Sequence, residues 1–303
     1  MLPHMTLLTP DDDPLLPSPG ASHTGQALGI DVGGTGVKAA VVDLSTGELI
    51  SARVREKTPQ PATPEAVADT VASVVARVAE GGMLPSDLPA GCGLPGVVKR
   101  GRLLTAANID QGWLDFPAEQ AWAERLGRPL LALNDADAAG VAEMAYGAAQ
   151  GHGGTVLLLT IGTGIGSALF IDGHLVPNTE LGHLELHGKA AELRLSGAAR
   201  DRRGIGWKRW GREFDEYLAM IERYFWPDLI ILGGGVSKEM ARYGKYLTAR
   251  APVVAAGLLN TAGIAGAALA GASAGDRTEI QATSPGSADE RETDALPGTA
   301  GEH

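Results

Sequence analysis

The stretch DVGGTGVK, Asp31 to Lys38, decides the fold. It joins two short apolar runs, Ala27–Val32 and Val37–Asp43. Its small residues let a ligand approach the backbone closely, and successive N–H groups there form a concave anion-binding nest. Thr35 adds a hydroxyl donor, Lys38 a positive charge, and Asp31 a carboxylate suited to Mg²⁺ through water. The stretch is not a P-loop, because Gly-x-x-x-x-Gly-Lys-Ser/Thr must open a helix. It is not the dinucleotide fingerprint Gly-x-Gly-x-x-Gly either, since a strand pattern follows it here. Taken alone it reads more readily as a hairpin turn that merely wants glycine, and it is the recurrence of such turns that favours phosphate. Ser45-Thr46-Gly47 then turns the chain into a third run, Glu48–Val54, so the opening reads as three antiparallel strands.

Further along, the pattern returns. Thr155–Ile161 (TVLLLTI) is a strand, Gly162-Thr163-Gly164-Ile165-Gly166 a second glycine turn, and Ser167–Ile171 a returning strand. A third apolar run, Asp228–Leu232, ends in Gly233-Gly234-Gly235. Between the two hairpins, Thr63-Pro64-Glu65 supplies an N-cap, a first-turn proline and a first-turn acid. Val67, Val71, Val74 and Val78 follow at helical spacing and Gly81-Gly82 ends the helix. Gly91–Leu94 and Pro129–Leu133 are short strands, the second leading into Asn134-Asp135 and a small-residue helix, Ala136–Tyr146. Phe214, Leu218, Ile221 and Phe225 mark a long helix, and Gly263–Ala274 is a final Ala/Gly helix. Strands alternating with helices predict an α/β protein of mixed sheets covered by helices, in two lobes that each open on a glycine hairpin. The expected division is a disordered leader over 1–26, a small lobe over 27–133 completed by the helix at 261–274, a large lobe over 134–260, and an acidic tail over 275–303.

The composition excludes several classes. One cysteine, Cys92, permits no internal disulfide and no multi-cysteine zinc site, and reads as a buried strand residue of a cytoplasmic protein. No apolar run reaches the ~18 residues of a membrane span. The first 26 residues contain Asp11, Asp12 and Asp13 but no base, unlike a signal peptide. Of the net charge of −11, the leader carries −3 and residues 276–303 carry −5, which leaves −3 for the body. Within that body His187–Arg212 carries a net +6 over 26 residues, opposed only by Glu192 and Asp201. Such a run is either a polyanion site or a solvated helical face.

Four stretches occur together: DVGGTGVK, NDADAAG (Asn134–Gly140), GTGIGSA, and ELGH (Glu180–His183). They resemble the ROK sugar kinases, and in that family's order, from about Leu28 to Ala270. Within the family the chain is most similar to the branch that uses polyphosphate, through LPGVV (Leu94–Val98), TAANID (Thr105–Asp110), GWKRWGRE (Gly206–Glu213) and LLNTAGIAGAALA (Leu258–Ala270). The resemblance implies the actin-like ATPase (ribonuclease H-like) two-lobe fold, with a cleft between the lobes. It implies transfer of a phosphoryl group from polyphosphate, or ATP, to O6 of glucose with Mg²⁺. Asp135 would be the general base. Gly96, Asn108, Asn134, Asp135, Glu180, His183 and Glu192 would grip the sugar. Asp31, Gly33, Gly34, Thr35, Gly36 and Lys38 would hold the phosphoryl chain with Thr160, Gly162, Thr163 and Gly164. Gly233, Gly234 and Gly235 would lie near an adenosine, and Arg203, Lys208 and Arg209 would line a polyphosphate groove. Most ROK kinases carry a cysteine-rich zinc run after the Gly-His motif. Here LELHGKAAELRLS follows His183, so no zinc is expected.

Bland alternatives stand beside these roles. Asp135 before an alanine-rich helix is equally an N-cap, and Asp137 reads as a first-turn acid favouring the helix dipole. His183 has a structural reading, and Trp113, Trp207 and Trp210 read as packing residues. The rival activities are an ATP-only glucokinase, a kinase for another hexose such as mannose, and a polyphosphate hydrolase. A sugar-responsive repressor needs a DNA-binding domain before the first strand, which 26 acidic, proline-rich residues do not supply, so no nucleic-acid partner and no membrane partner is expected. The expected assembly is a homodimer.

Overall fold

The computed structural model describes residues 24–82, 84–105 and 110–283, with backbone alone over 274–283. The first half contributes β1 (Gln26–Gly33), β2 (Gly36–Asp43), β3 (Val54–Glu56), α1 (Pro64–Glu80), β4 (Ala90–Leu94) and a small hairpin of β5 (Val98–Lys99) and β6 (Arg102–Leu103). α2 (Ala118–Leu126) and β7 (Leu130–Asn134) complete it. The sheet order is β3-β2-β1-β4-β7, with β1–β2 and β2–β3 antiparallel and the rest parallel.

α3 (Asp135–Tyr146) leads into the second half. There follow β8 (Thr155–Ile161), β9 (Ile165–Ile171), β10 (His174–Val176) and a short pair, β11 (Glu185–Leu186) and β12 (Lys189–Ala190). Then come α4 (Glu192–Leu195), α5 (Gly197–Arg203), α6 (Trp207–Phe225), β13 (Leu229–Gly233), α7 (Met240–Tyr243), β14 (Val253–Ala255) and α8 (Ala262–Thr283). The second sheet, β10-β9-β8-β13-β14, repeats the first in plan: an antiparallel hairpin at one side, parallel strands at the other.

Local chemistry explains the elements. Thr63 caps α1 by accepting from the Ala66 N–H, with Pro64 in the first turn. The valines of α1 pack on the face of the first sheet that carries Ile30, Ala39 and Val54. Trp113 and Trp122 close the end of that core edge to face. Trp207, Trp210, Phe214 and Tyr217 of α6 build the core on the outer face of the second sheet. α3 and α8 fill the space between the sheets. Here the glycines matter: a Cβ on Gly29 or Gly91 would lie about 2 Å from a backbone carbonyl of α8, so the Ala/Gly helix seats directly on β1 and β4.

Two differences from the sequence reading have physical causes. The third strand is Val54–Glu56 and not the expected Glu48–Val54: over the earlier stretch only a single bridge, Val42 to Leu49, forms, and the Ser51 hydroxyl takes the Val41 N–H that a ladder partner would have used. The last helix continues to Thr283, past Ala274, so residues 275–283 are helical where a structureless tail was expected. Cys92 is fully buried in β4. Among the described residues no helix is long and apolar enough to cross a membrane.

Candidate active site

Both glycine turns are hairpin tips. Gly34 and Thr35 connect β1 to β2, while Gly162 to Gly164 connect β8 to β9, and all but Gly164 are exposed. Lys38 is paired with Asp31 across the first hairpin at 2.6 Å. Asp31 and Lys38 line a cavity of about 190 Å³ together with Asp135, Thr160, Gly233 and Gly234. Residues at the base of both hairpins, Asp31 and Lys38 of the first and Thr160 of the second, thus share one cleft with Asp135, whereas Gly33 and Gly34 line a separate cavity with Pro95, Asp110 and Trp113.

α3 starts at Asp135, directly after β7. Asn134 is its cap: Oδ1 accepts from the N–H groups of Ala136 and Asp137 at 2.8 and 3.0 Å. This removes the capping role from Asp135 and leaves its carboxylate to the cleft. Burial pushes the Asp135 carboxyl up to about 7, with repulsion from Asp31 and Glu180 in the same direction. The charges of Asp31 and Glu180 thus both act on Asp135. Asn134 differs from expectation in its use. Its Nδ2 donates to the Gly96 carbonyl at 3.0 Å, so a single amide N–H remains for a ligand. It secures the Gly96 loop instead of presenting a full amide to a sugar.

Glu180, His183 and Glu192 come together. His183 lies between two carboxylates, with Nδ1 3.9 Å from Glu180 and Nε2 3.7 Å from Glu192. Burial raises the Glu180 carboxyl, and the neighbouring Glu192 adds to this while His183 opposes it. Glu192 Oε2 accepts weakly from the Ile165 N–H and lies where a Cβ on Gly164 would be 2.6 Å away. The sugar-side cluster therefore leans directly on the second glycine turn. Asn108 lies outside the described residues.

Several functional neighbours escaped the sequence reading. Asp137 is a buried group, 1% exposed, and Oδ2 accepts from the Asn178 N–H at 2.7 Å. Burial pushes its carboxyl up to about 7, against that bond and with repulsion from Asp135. The first-turn dipole reading accounts for none of this. Glu143, equally buried, accepts from the N–H groups of Ala148, Gly257 and Leu258 and so holds the loop beside the cleft. Arg55 stands opposite Lys38 on β3, and Lys38 opposite Asp31, so the three form a row on one face. The Arg55 guanidinium lies over Gly36 and donates to the Thr35 carbonyl at 3.2 Å. Register across the hairpin could have revealed it, had the third strand's start been read correctly.

The basic run is smaller than its charge count. Arg194, Arg203 and Arg209 converge on Glu213 at 3.5, 2.7 and 3.0 Å. Arg203 foremost, with Arg209 and Arg194, holds the Glu213 carboxyl down to about 2. Arg200 stacks over Trp207 at 3.8 Å. Of the expected groove residues, only Lys208 makes no ion pair among the described residues. Glu213 lies one residue beyond the window that defined the run. Trp113, Trp207 and Trp210 are buried packing residues. No group of three or more His, Cys, Asp or Glu side chains suited to a metal ion occurs among the described residues.

Asp31 and Lys38 of the first hairpin and Thr160 of the second face one cleft with Asp135. The ROK family model matches residues 27–197, and the chain belongs to the ROK family. The polyphosphate glucokinase of Mycobacterium tuberculosis strain H37Rv is 47% identical over 254 residues, covering 84% of this chain and 94% of that protein. The inorganic polyphosphate/ATP-glucomannokinase from Arthrobacter has a solved structure that matches with a TM-score of 0.79 and 46% identity, over 85% of this chain and all of that one. A ROK family glucokinase from Streptomyces griseus, solved with glucose and AMPPNP, matches with a TM-score of 0.69 and 28% identity, over 80% of this chain and 98% of that one.

Proposed function

We propose that this chain is a polyphosphate-dependent glucokinase, which moves the terminal phosphoryl group of inorganic polyphosphate, or of ATP, to O6 of glucose. The observation that carries the reading is that Asp135 lines one cleft with Asp31, Lys38 and Thr160 of the two hairpins, while Glu180, whose charge acts on it, belongs to the Glu180–His183–Glu192 cluster. The 47% identity to a polyphosphate glucokinase supports the donor.

Each part then has a task. Glu180 and Glu192 accept from sugar hydroxyls and His183 bridges them. A site built to hydrogen-bond hydroxyls rejects analogues that lack them. Asn134 holds the Gly96 loop against the acceptor, and Asn108 is assigned to the sugar on its motif alone. Asp135 accepts the O6 proton as that oxygen attacks. Burial and the adjacent charges raise its basicity toward working pH, the condition under which a general base is most effective. The backbone N–H groups of the two turns, with Thr35, Thr163 and Lys38, neutralise the equatorial oxygens. Gly233 to Gly235 provide a surface for a nucleoside when ATP is the donor. Mg²⁺, held by Asp31 with phosphate oxygens and water as the other ligands, would supply charge neutralisation at the transferred group. Closure of the cleft excludes water as a competing acceptor.

Mannose is a second acceptor to be tested, because the Arthrobacter neighbour is a glucomannokinase. The mechanism is tested with Asp135→Asn. Loss of the base lowers kcat by on the order of 10²–10⁴, while glucose binding, measured by calorimetry, changes little. A variant that keeps near wild-type turnover sinks the assignment.

A further inference from the structure

The two walls of the sugar side come from different sheets, and one side chain ties them together. Asn178 lies just after β10, at a φ of 60° that asparagine tolerates better than most residues. Its Oδ1 accepts from the Val98 N–H at 2.8 Å and its Nδ2 donates to the Val98 carbonyl at 2.9 Å. A single amide side chain thus offers β5 what a neighbouring strand would offer. Val98 follows Gly96 by two residues, and the Gly96 carbonyl is held by Asn134. On the other side Asn178 precedes Glu180 by two residues. The backbone between them is pinned, with the Thr179 carbonyl accepting from the Ser167 hydroxyl at 2.6 Å. The Asn178 N–H is fixed by Asp137, whose second oxygen has no partner among the described residues. Asp137 sits two residues after Asp135 on α3, so the clip and the proposed base share one helix.

We infer that Asn178 is a positioning residue for the hexose acceptor: it fixes the separation of the Gly96 loop from the Glu180 wall, and so sets the width of the sugar site. This rests on the reading of that site given above. None of its hydrogen bonds reaches the glycine turns, so donor binding is independent of it.

Two substitutions separate the side chain from its backbone. Asn178→Gly keeps the positive φ at no steric cost and removes only the clip. Asn178→Asp keeps an acceptor for the Val98 N–H but sets a carboxylate oxygen against the Val98 carbonyl. With saturating donor, loss of two hydrogen bonds raises the glucose KM and Kd about 10-fold in Asn178→Gly, and further in Asn178→Asp. Donor KM, and kcat at saturating glucose, stay within about 2-fold, because uniform binding of the acceptor is what is lost. Should neither variant fold, Asp137→Asn, which loosens the Asn178 N–H, gives the same split at smaller amplitude. Glucose KM within 2-fold of wild type in the folded variants, or glucose and donor KM rising together, overturns the inference. Wild-type protein that phosphorylates no hexose overturns instead the activity on which it rests.

Discussion

Asp135→Asn should make the protein more stable as it makes it inactive, and only above a defined pH. The Asp135 carboxyl is pushed from 3.8 up to about 7 by burial and by repulsion from Asp31 and Glu180. A folded state that holds its proton more tightly than the unfolded chain loses stability as pH rises through this interval, and the loss is complete above about 7. The rise from 3.8 to about 7 corresponds to roughly 4 kcal/mol. The carboxylate retains contact with the cleft solvent, so we discount this to about 2 kcal/mol. Asparagine has nearly the same shape and never ionises, so it escapes the whole penalty. At about 2–4 °C per kcal/mol for a domain of this size, the Asn variant should melt about 4–8 °C above wild type at pH 8 without ligands. The gap should shrink steadily as pH falls and vanish only well below 3.8, where the wild-type carboxyl is protonated in both states. Thermal unfolding followed by circular dichroism at half-unit pH steps measures it. A variant no more stable than wild type at pH 8, or a gap independent of pH, refutes the account of Asp135 as a strained, enclosed carboxylate. Stability gained at the expense of activity is expected where a charge is held for catalysis.

Two other predictions use the same geometry. The glucose kcat/KM should rise about tenfold per pH unit on the acid side and level off near pH 7, because Asp135 must be ionised to accept a proton; a flat profile down to pH 5 excludes it as the base. Arg55→Gln should raise the polyphosphate KM several-fold and flatten its salt dependence, since one released counterion is lost, with ATP affected by less than about 2-fold. Lys208→Gln should do less, and the reverse order would restore the α5–α6 groove as the path of the phosphate chain.

Local chemistry was what the sequence displayed well. The hairpin tips at Gly34 and Gly162, the Thr63 cap of α1 and the core stripe of α6 are each written in a few adjacent residues, and the structure forms all of them. What it displayed poorly was competition between partners distant in the chain. Ser51 reaching Val41 interrupts the ladder, so the third strand forms over Val54–Glu56 and not over the apolar run before it. Glu213 collects three arginines that a charge count treats as free. Asp137, Asn178 and Val98 are separated by 41 and 80 residues, so no spacing rule joins them, yet they connect the two sides of the proposed acceptor site. Asp135 shows the boundary most clearly. From sequence it was a cap or a base. The structure assigns the cap to Asn134 and leaves Asp135 facing the cleft.

The donor is the centre of the account, and one assay addresses it most directly. Purified protein, free of nucleotide, is supplied with glucose, Mg²⁺ and long-chain polyphosphate, and glucose 6-phosphate is followed in parallel with ATP and GTP reactions. The account predicts sustained glucose 6-phosphate formation with polyphosphate as the sole donor. Formation with ATP and none with polyphosphate would contradict it.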